Sequence, residues 1–217
     1  MTKYYSQEGQ DKYLEENIFK SLKNGTFMDI GAHDGKTINN TLYFEENNNW
    51  TGVNVEPIKE VYEKLVQNRK KCINLNCAVD IKNGTSEFIL NKGYTEMISG
   101  LKDQFDPRHF NRLNYENSIY GGKTEIIKVE TKTIETICEE HNIKHINYLS
   151  IDVEGAEFNV IKSINFDKVF IDVIGFENNY NDVSVPIIEY LKTKGYKIIH
   201  QCIDIFMIHQ DSKFINM

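Results

Sequence analysis

Thr26-Phe27-Met28-Asp29-Ile30-Gly31-Ala32-His33-Asp34-Gly35 reads as a short apolar strand that runs into a glycine turn. Two glycines let the backbone bend tightly and let a ligand approach it closely. Their spacing is G-x-x-x-G, not the G-x-G-x-x-G of dinucleotide-binding loops. Asp29 stands just before the first glycine. Its carboxylate would repel a pyrophosphate and would welcome an amine or a sulfonium. The next apolar segment, residues 51–55, ends in Glu56-Pro57. An acid at that strand end is placed to accept hydrogen bonds from both hydroxyls of a ribose.

Outward from this pair, strands and helices alternate. Residues 10–22 put Tyr13, Leu14, Ile18 and Leu22 on one helical face, and Asn24-Gly25 stops the helix. Helices are expected at 37–45, 58–69, 133–141, 156–164 and 185–194. Strands are expected at 72–79, 146–151 and 168–176, with a closing antiparallel pair at 196–202 and 205–209. Residues 85–90 and 126–130 are strand-like and could pair. Repeated β-α units argue for an α/β, Rossmann-like fold around a mostly parallel sheet, with helices on both faces and a hairpin at the C-terminal edge. Residues 91–125 lack a clean period and carry Tyr94, Phe105, Phe110, Tyr115 and Tyr120 with Arg108 and Arg112. A segment of that length suits a lid or a substrate-binding insertion in one domain spanning 1–217. Met97-Ile98-Ser99-Gly100 is expected as a turn entering the site.

Composition narrows the partners. The chain of 217 residues is 40% hydrophobic and 26% charged, which is a globular composition, and its net charge is -7. That charge argues against broad binding to nucleic acid or to an anionic membrane. No apolar run reaches the roughly 20 residues of a membrane span, and the N-terminus has no apolar signal core. The expected location is the cytoplasm, a host's cytoplasm if the protein is viral. Cys72, Cys77, Cys138 and Cys202 show no C-x-x-C spacing and are expected as free thiols. Three histidines at metal-ligand spacing do not occur, which argues against a zinc site.

In an open α/β sheet, ligands collect at the carboxyl ends of the strands. Those ends carry Asp29, Glu56, Asp80, Asp152-Val153-Glu154-Gly155-Ala156-Glu157 and Glu177. The chain resembles the FkbM-type S-adenosylmethionine-dependent methyltransferases, most of which act on hydroxyls of sugars or glycosylated products. The resemblance rests on Ser6-Gln7-Glu8-Gly9-Gln10-Asp11, on residues 27–35, on Asn40-Thr41, on Trp50-Thr51-Gly52-Val53-Asn54-Val55-Glu56-Pro57, and above all on Ser150-Ile151-Asp152-Val153-Glu154-Gly155-Ala156-Glu157. Within the family it is similar to the methyltransferase domain of chlorovirus glycan-synthesising proteins, whose neighbouring domains transfer sugars. Where the family often has a lysine before Ile-Asp-Val-Glu-Gly, this chain has Ser150, so no lysine role carries over.

The resemblance implies a class I methyltransferase fold with a seven-stranded sheet and S-adenosylmethionine lying across the switch point. Asp29 and the amides after Gly31 (Ala32, His33 and the turn to Gly35) would hold its amino acid end. Glu56 would take the ribose hydroxyls. Pro57 or Ile58 would flank the adenine on one side, and Cys77, Ala78 and Val79 would border it on the other. Ser6, Gln7, Asn40 and Thr41 complete the expected cofactor contacts. The acceptor would be a sugar hydroxyl, such as one of rhamnose, in a glycan. Asp152 is the first choice for its base or orienting group, with Glu154, Glu177 and His109 as further candidates. Asp152, Glu154 and Glu177 could instead hold a divalent cation. Glu157 reads equally well as a stabiliser of its own helix. An NAD-dependent enzyme would explain Glu56 but not Asp29 or the glycine spacing. A non-catalytic cofactor-binding module in glycan assembly is the remaining alternative.

Overall fold

Side chains that alternate along the central strands build two apolar layers around one sheet. The computed structural model describes residues 3–215. The strands are β1 (Thr26–Ile30), β2 (Thr51–Val55), β3 (Ile73–Leu75), β4 (Ala78–Val79), β5 (Gly84–Gly93), β6 (Gly100–Leu101), β7 (Gly122–Lys132), β8 (His145–Ile151), β9 (Phe170–Glu177), β10 (Tyr196–Gln201) and β11 (Asp204–His209). The helices are α1 (Gln10–Tyr13), α2 (Leu42–Asn48), α3 (Lys59–Asn68), α4 (Pro107–Tyr120), α5 (Ile134–Glu140), α6 (Glu157–Lys162) and α7 (Asn181–Thr193). The main sheet has seven strands in the order β10-β11-β9-β8-β1-β2-β3. The strands from β3 to β9 pair in parallel, and β11 runs antiparallel to both β9 and β10. The chain leaves β1 toward β2 and β3, then returns to the other side of β1 with β8. That reversal opens a crevice at the carboxyl ends of β1 and β8.

Met28, Ile30, Leu149, Ile151 and Ile174 face a layer closed by Ile134 and Ile137 of α5, Val160 and Ile161 of α6, and Leu191 of α7. Their sequence neighbours Phe27, Tyr148 and Val173 face the opposite layer, against Leu14, Ile18, Phe19, Phe44 and Trp50. Each such side chain contributes about 1.5–3 kcal/mol on burial, and a one-residue slip would reverse both layers. The seven-stranded, mostly parallel sheet with helices on both faces and a C-terminal hairpin agrees with expectation.

Four local differences have physical causes. The first helix is α-helical only over Gln10–Tyr13 and continues as a π-helix over Leu14–Phe19. The wider turn accompanies burial of Glu15, whose carboxylate accepts hydrogen bonds from Asn48 Nδ2 (2.8 Å), Ser21 Oγ (3.1 Å) and the Tyr43 hydroxyl (3.3 Å). Residues 37–41 are not helical, because Asn39 Oδ1 accepts from the backbone N–H groups of Thr41 and Leu42 and so starts α2 late. The expected strand 72–79 is two strands. Asn76 breaks it, donating through Nδ2 to the carbonyls of Glu56 and Pro57, and Ala78–Val79 pairs with β7 instead. Finally, the insertion is structured. β5 and β7 form a ten-pair antiparallel ladder within a four-stranded sheet ordered β4-β7-β5-β6. The aperiodic stretch between them contains α4, capped by Asp106, which accepts from the Arg108 N–H at 2.7 Å, with Pro107 following at the first helical position.

Phe88, Leu90, Leu101 and Val129 of this second sheet pack on Ile58, Val61, Ala78 and Ala156. The sheet therefore roofs the crevice. Cys77 and Cys138 are buried, Cys72 is half-buried and Cys202 is exposed, all as free thiols. No helix among the described residues is long and apolar enough to cross a membrane.

Candidate functional site

A cavity of about 400 Å³ occupies the crevice at the carboxyl ends of β1, β2 and β8, under the second sheet. The size falls within the range of roughly 300–1,000 Å³ usual for small-molecule sites. Gln7, Asp29, Gly31, Ala32, His33, Asn40, Glu56, Pro57, Cys77, Ala78, Val79, Asp152, Glu154 and Glu177 all line it. Among the expected site residues, Ser6, Gly35, Thr41 and His109 stand outside this lining.

Those four have other contacts. Ser6 Oγ donates to Asp11 Oδ1 at 2.5 Å and so anchors the N-terminal segment that brings Gln7 to the cavity. Thr41 is fully buried, and its hydroxyl donates to Asp29 Oδ2 at 2.8 Å. Gly35 turns the loop at φ +73°, packed where a Cβ would press on Arg69 and Leu65. His109 is buried behind the acidic end of the cavity, with Nδ1 3.2 Å from Glu154 Oε2. The two atoms are close but form no hydrogen bond, and neither has another partner among the described residues.

The glycine loop shows why its residues are of these types. Gly31 has φ +84°, and a Cβ there would collide with the backbone oxygen of Asp152. Its N–H and that of Ala32 both donate to the Val55 carbonyl at 3.0 Å, which locks β1's exit to β2. His33 also adopts a positive φ, and its N–H donates to Glu56 Oε2 at 3.1 Å. Glu56 Oε1 accepts from the Ile58 N–H at 2.7 Å. Burial pushes Glu56 up to about 7; the two backbone N–H groups oppose that rise and nearby Glu96 adds to it.

Asp29 is buried, and Oδ2 accepts from both Thr41 Oγ1 and Asn39 Nδ2, the latter at 2.9 Å. Burial raises its pKa, while the charge of Arg69 and these two donors pull it back. Arg69 was not evident as a site residue, yet it organises the floor. Fully buried, it pairs with Glu45 and donates to the Gly35 carbonyl (3.1 Å), Asn39 Oδ1 (2.9 Å) and Thr41 Oγ1 (3.0 Å). The sequence carries no local signal for this, because Arg69 lies at the end of α3 and its partners lie 24–34 residues away.

At the far end, carboxylate oxygens of Asp152, Glu154 and Glu177 lie within 4.8 Å of one another. Asp152 is open to the cavity yet surrounded by protein. Restricted solvation, then Glu154, Asp204, Glu157 and Asp29, push it well above the usual carboxylate range. Burial followed by Asp152 and Glu154 does the same to Glu177, which accepts from Asn179 Nδ2 at 2.6 Å. Asp152 and Glu177 therefore hold their protons more tightly than ordinary carboxyls. Glu157 is buried beside it, and its Oε1 accepts from the Gly155 N–H at 2.9 Å, in line with a helix-stabilising role. Ser150, in the place of the family's lysine, is buried and accepts from Asn40 Nδ2 at 3.3 Å.

Some lining residues carried only a weak sequence signal. Met97, Ile98 and Ser99 enter the cavity as the expected turn and Arg112 of the insertion lines it from α4, but Glu96 beside the turn was not anticipated. The Asp106-Pro107 pair, a helix-start signal, could have revealed α4 and with it the placement of Arg112.

The donor set fits S-adenosylmethionine. Two buried carboxylates face the strand ends, a glycine leaves backbone room, and Ile58, Ala78, Val79, Phe88 and Leu101 give an apolar slot. The Methyltransferase FkbM domain matches residues 29–198. Among curated proteins, none matches the sequence. Similar solved structures include precorrin-6y C5,15-methyltransferase from Geobacter metallireducens GS-15, with TM-score 0.48 and 10% identity over 93% of this chain and 86% of that one. The human methyltransferase 10 domain containing protein gives TM-score 0.47 and 12% identity over 91% and 78%. A TehB-like SAM-dependent methyltransferase from Corynebacterium glutamicum gives 0.41 and 10% over 95% and 86%. With the family's motif residues gathered around one cavity and the match spanning most of the chain, the protein belongs to the FkbM methyltransferase family and is an S-adenosylmethionine-dependent methyltransferase.

Proposed function

We propose that the protein transfers a methyl group from S-adenosylmethionine to a hydroxyl of a sugar, within a glycan. The observation that carries this reading is the acidic trio of Asp152, Glu154 and Glu177 at the end of the cavity opposite Glu56 and the apolar slot. When bound, the cofactor supplies a methyl group activated on sulfur. Asp29 would hold its ammonium group, Glu56 would accept from the ribose hydroxyls, and Ile58, Ala78 and Val79 would enclose the adenine.

A neutral alcohol is a poor nucleophile, so the acceptor must be aligned and relieved of its proton. Burial and the neighbouring carboxylates hold the proton affinity of Asp152 and Glu177 high, which makes the ionised form a stronger base. Asp152, exposed into the cavity, would orient the hydroxyl and take its proton, while Glu154 and Glu177 share the charge. Replacing Asp152 by Asn should leave S-adenosylhomocysteine affinity within about threefold and lower methyl transfer by about 10²–10⁴, the usual worth of a general base. Transfer by the variant at the wild-type rate would remove Asp152 from the mechanism. The readout is mass spectrometry of short glycans incubated with labelled cofactor.

The spacing of the three oxygens supports a second reading. Oxygens within 4.8 Å of one another can ligate a hard divalent cation, which would lower the hydroxyl's pKa in place of a base. Here Asp152, Glu154 and Glu177 would be ligands. Excess chelator should then abolish transfer, and undiminished turnover in its presence leaves the carboxylate-base reading alone.

A further inference from the structure

A second cavity, of about 300 Å³, adjoins the first at the end of β9. Glu177 and Asn179 belong to the walls of both. The second cavity lies between the segment Asp103–His109 leading into α4 and the first turn of α7, and it meets the acidic trio at Glu177. We propose that this cavity is the acceptor subsite, and that it takes one uncharged, polyhydroxylated ring. This deepens the reading of the protein as a sugar methyltransferase and rests on it.

Three features select that ligand class. The first is shape and apolarity. Phe105, His109 and Tyr180 present rings to the cavity, with Phe105 and His109 edge-to-face at 5.4 Å and His109 and Tyr180 5.6 Å apart. Tyr180 is held by the Arg108 guanidinium, 3.5 Å over its ring. Such faces suit the C–H face of a pyranose. The volume, at the low end for small-molecule sites, admits one ring and not an extended polymer.

The second feature is an unanswered polar atom. Gln104 Oε1 in the wall has no hydrogen-bond partner among the described residues, while behind it His109 Nδ1 and Glu154 Oε2 face each other at 3.2 Å. A buried acceptor left without a donor is destabilising, so a ligand that supplies O–H donors is favoured there.

The third feature is charge. Asp103, Asp106, Glu157 and Glu177 line the cavity, and among the described residues no lysine or arginine does. Arg108 is turned outward, to Asp106 and Asp182. An anionic ring would meet carboxylates alone, whereas a neutral polyol would donate to them.

Val183 lies in this wall and outside the first cavity, so Val183→Trp fills the subsite without touching the proposed cofactor contacts. The probes are a pool of neutral oligosaccharides and the same pool oxidised to uronic acids, followed by saturation-transfer NMR with and without S-adenosylhomocysteine. The neutral pool should bind the wild type, bind Val183→Trp at least tenfold more weakly, and outcompete the oxidised pool by at least tenfold. S-adenosylhomocysteine should bind both proteins within threefold. Tyr180→Ala, which removes a ring without adding bulk, should also weaken the neutral pool, which covers the case of a misfolded tryptophan variant. Neutral binding equal in wild type and both variants would overturn the subsite. A preference for uronic acids, or no binding of the neutral pool, would overturn the ligand class. Failure of S-adenosylhomocysteine to bind any of these proteins would instead strike the cofactor placement, and the comparison of variants would still decide the subsite.

Discussion

As the proposed acceptor from the ribose hydroxyls, Glu56 should tie cofactor binding and fold stability to pH with opposite signs. The side chain is only 5% exposed, and each of its oxygens already accepts one backbone N–H. In the unfolded chain it should lose its proton near the ordinary 4.5, whereas burial in the fold delays that loss to about 7. Between those values the folded protein holds the extra proton. The stability from the buried neutral carboxyl is therefore complete below about pH 4.5 and is lost as pH rises through about 7. The interval corresponds to about 3 kcal/mol, at about 1.4 kcal/mol per pH unit. Binding runs the other way. A carboxyl that accepts from both ribose hydroxyls must be ionised, so the competent fraction, and with it the affinity for S-adenosylhomocysteine, should rise about tenfold from pH 6 to pH 8. Calorimetric titration across that range measures the affinity, and urea denaturation measures the stability. In Glu56→Gln the amide can accept only one of the two N–H groups and opposes the other, a pH-independent penalty. The difference in unfolding free energy between wild type and variant should nevertheless move by about 2–3 kcal/mol between pH 5 and pH 8, against the wild type. An affinity that stays level from pH 6 to pH 8, or a glutamine variant that binds as tightly as wild type, would refute the role of Glu56.

Two further substitutions probe the floor of the site. Gly31→Ala sets a Cβ against the Asp152 carbonyl at a positive φ, so it should destabilise by more than about 3 kcal/mol, and a melting temperature equal to that of wild type would contradict the loop geometry. Arg69→Met leaves Glu45 buried without its cation and takes donors from Gly35, Asn39 and Thr41; a loss of about 3–5 kcal/mol is expected in urea denaturation, with a weaker S-adenosylhomocysteine complex even where the variant remains folded.

The parts of the site visible in the sequence are those fixed by neighbours along the chain. Asp29 with Gly31, Glu56 with Pro57, and Asp152 with Glu154 each lie at the end of an apolar strand, and strand ends in a parallel sheet converge on the crevice. What escaped is carried by contacts remote in sequence. Arg69 earns its place only because Gly35, Asn39 and Thr41 fold back over α3. The π-helix at Leu14–Phe19 depends on Glu15 meeting Asn48 and Tyr43, which no local period records. Asp204 is a similar case: it begins β11, is buried at the sheet's carboxyl end, and accepts from Gln10 Nε2 at 3.2 Å, with burial raising it to about 6. The insertion misled for the opposite reason. α4 buries only His109 and Leu113, so its apolar face is too narrow to impose a period, and its capping residues are the sole local sign of it.

Charge is what unites these residues. Asp29, Glu56, Asp152, Glu177 and Asp204 stand at one edge of one sheet, and burial raises the pKa of every one of them. A sequence selected for stability alone would replace such groups with apolar side chains of similar size, since buried carboxyls without full compensation favour the unfolded state. Retaining five of them is intelligible if the folded chain awaits a cationic ligand. Arg112 is the one lysine or arginine that lines the main cavity among the described residues, and it is engaged with Glu116 at 2.8 Å. In the proposed reading, the positive charge missing from the protein would be supplied by the ammonium and the sulfonium of the methyl donor. The same field would disfavour an anionic acceptor, so under the proposed assignments one set of carboxylates would select a charged donor and a neutral acceptor together.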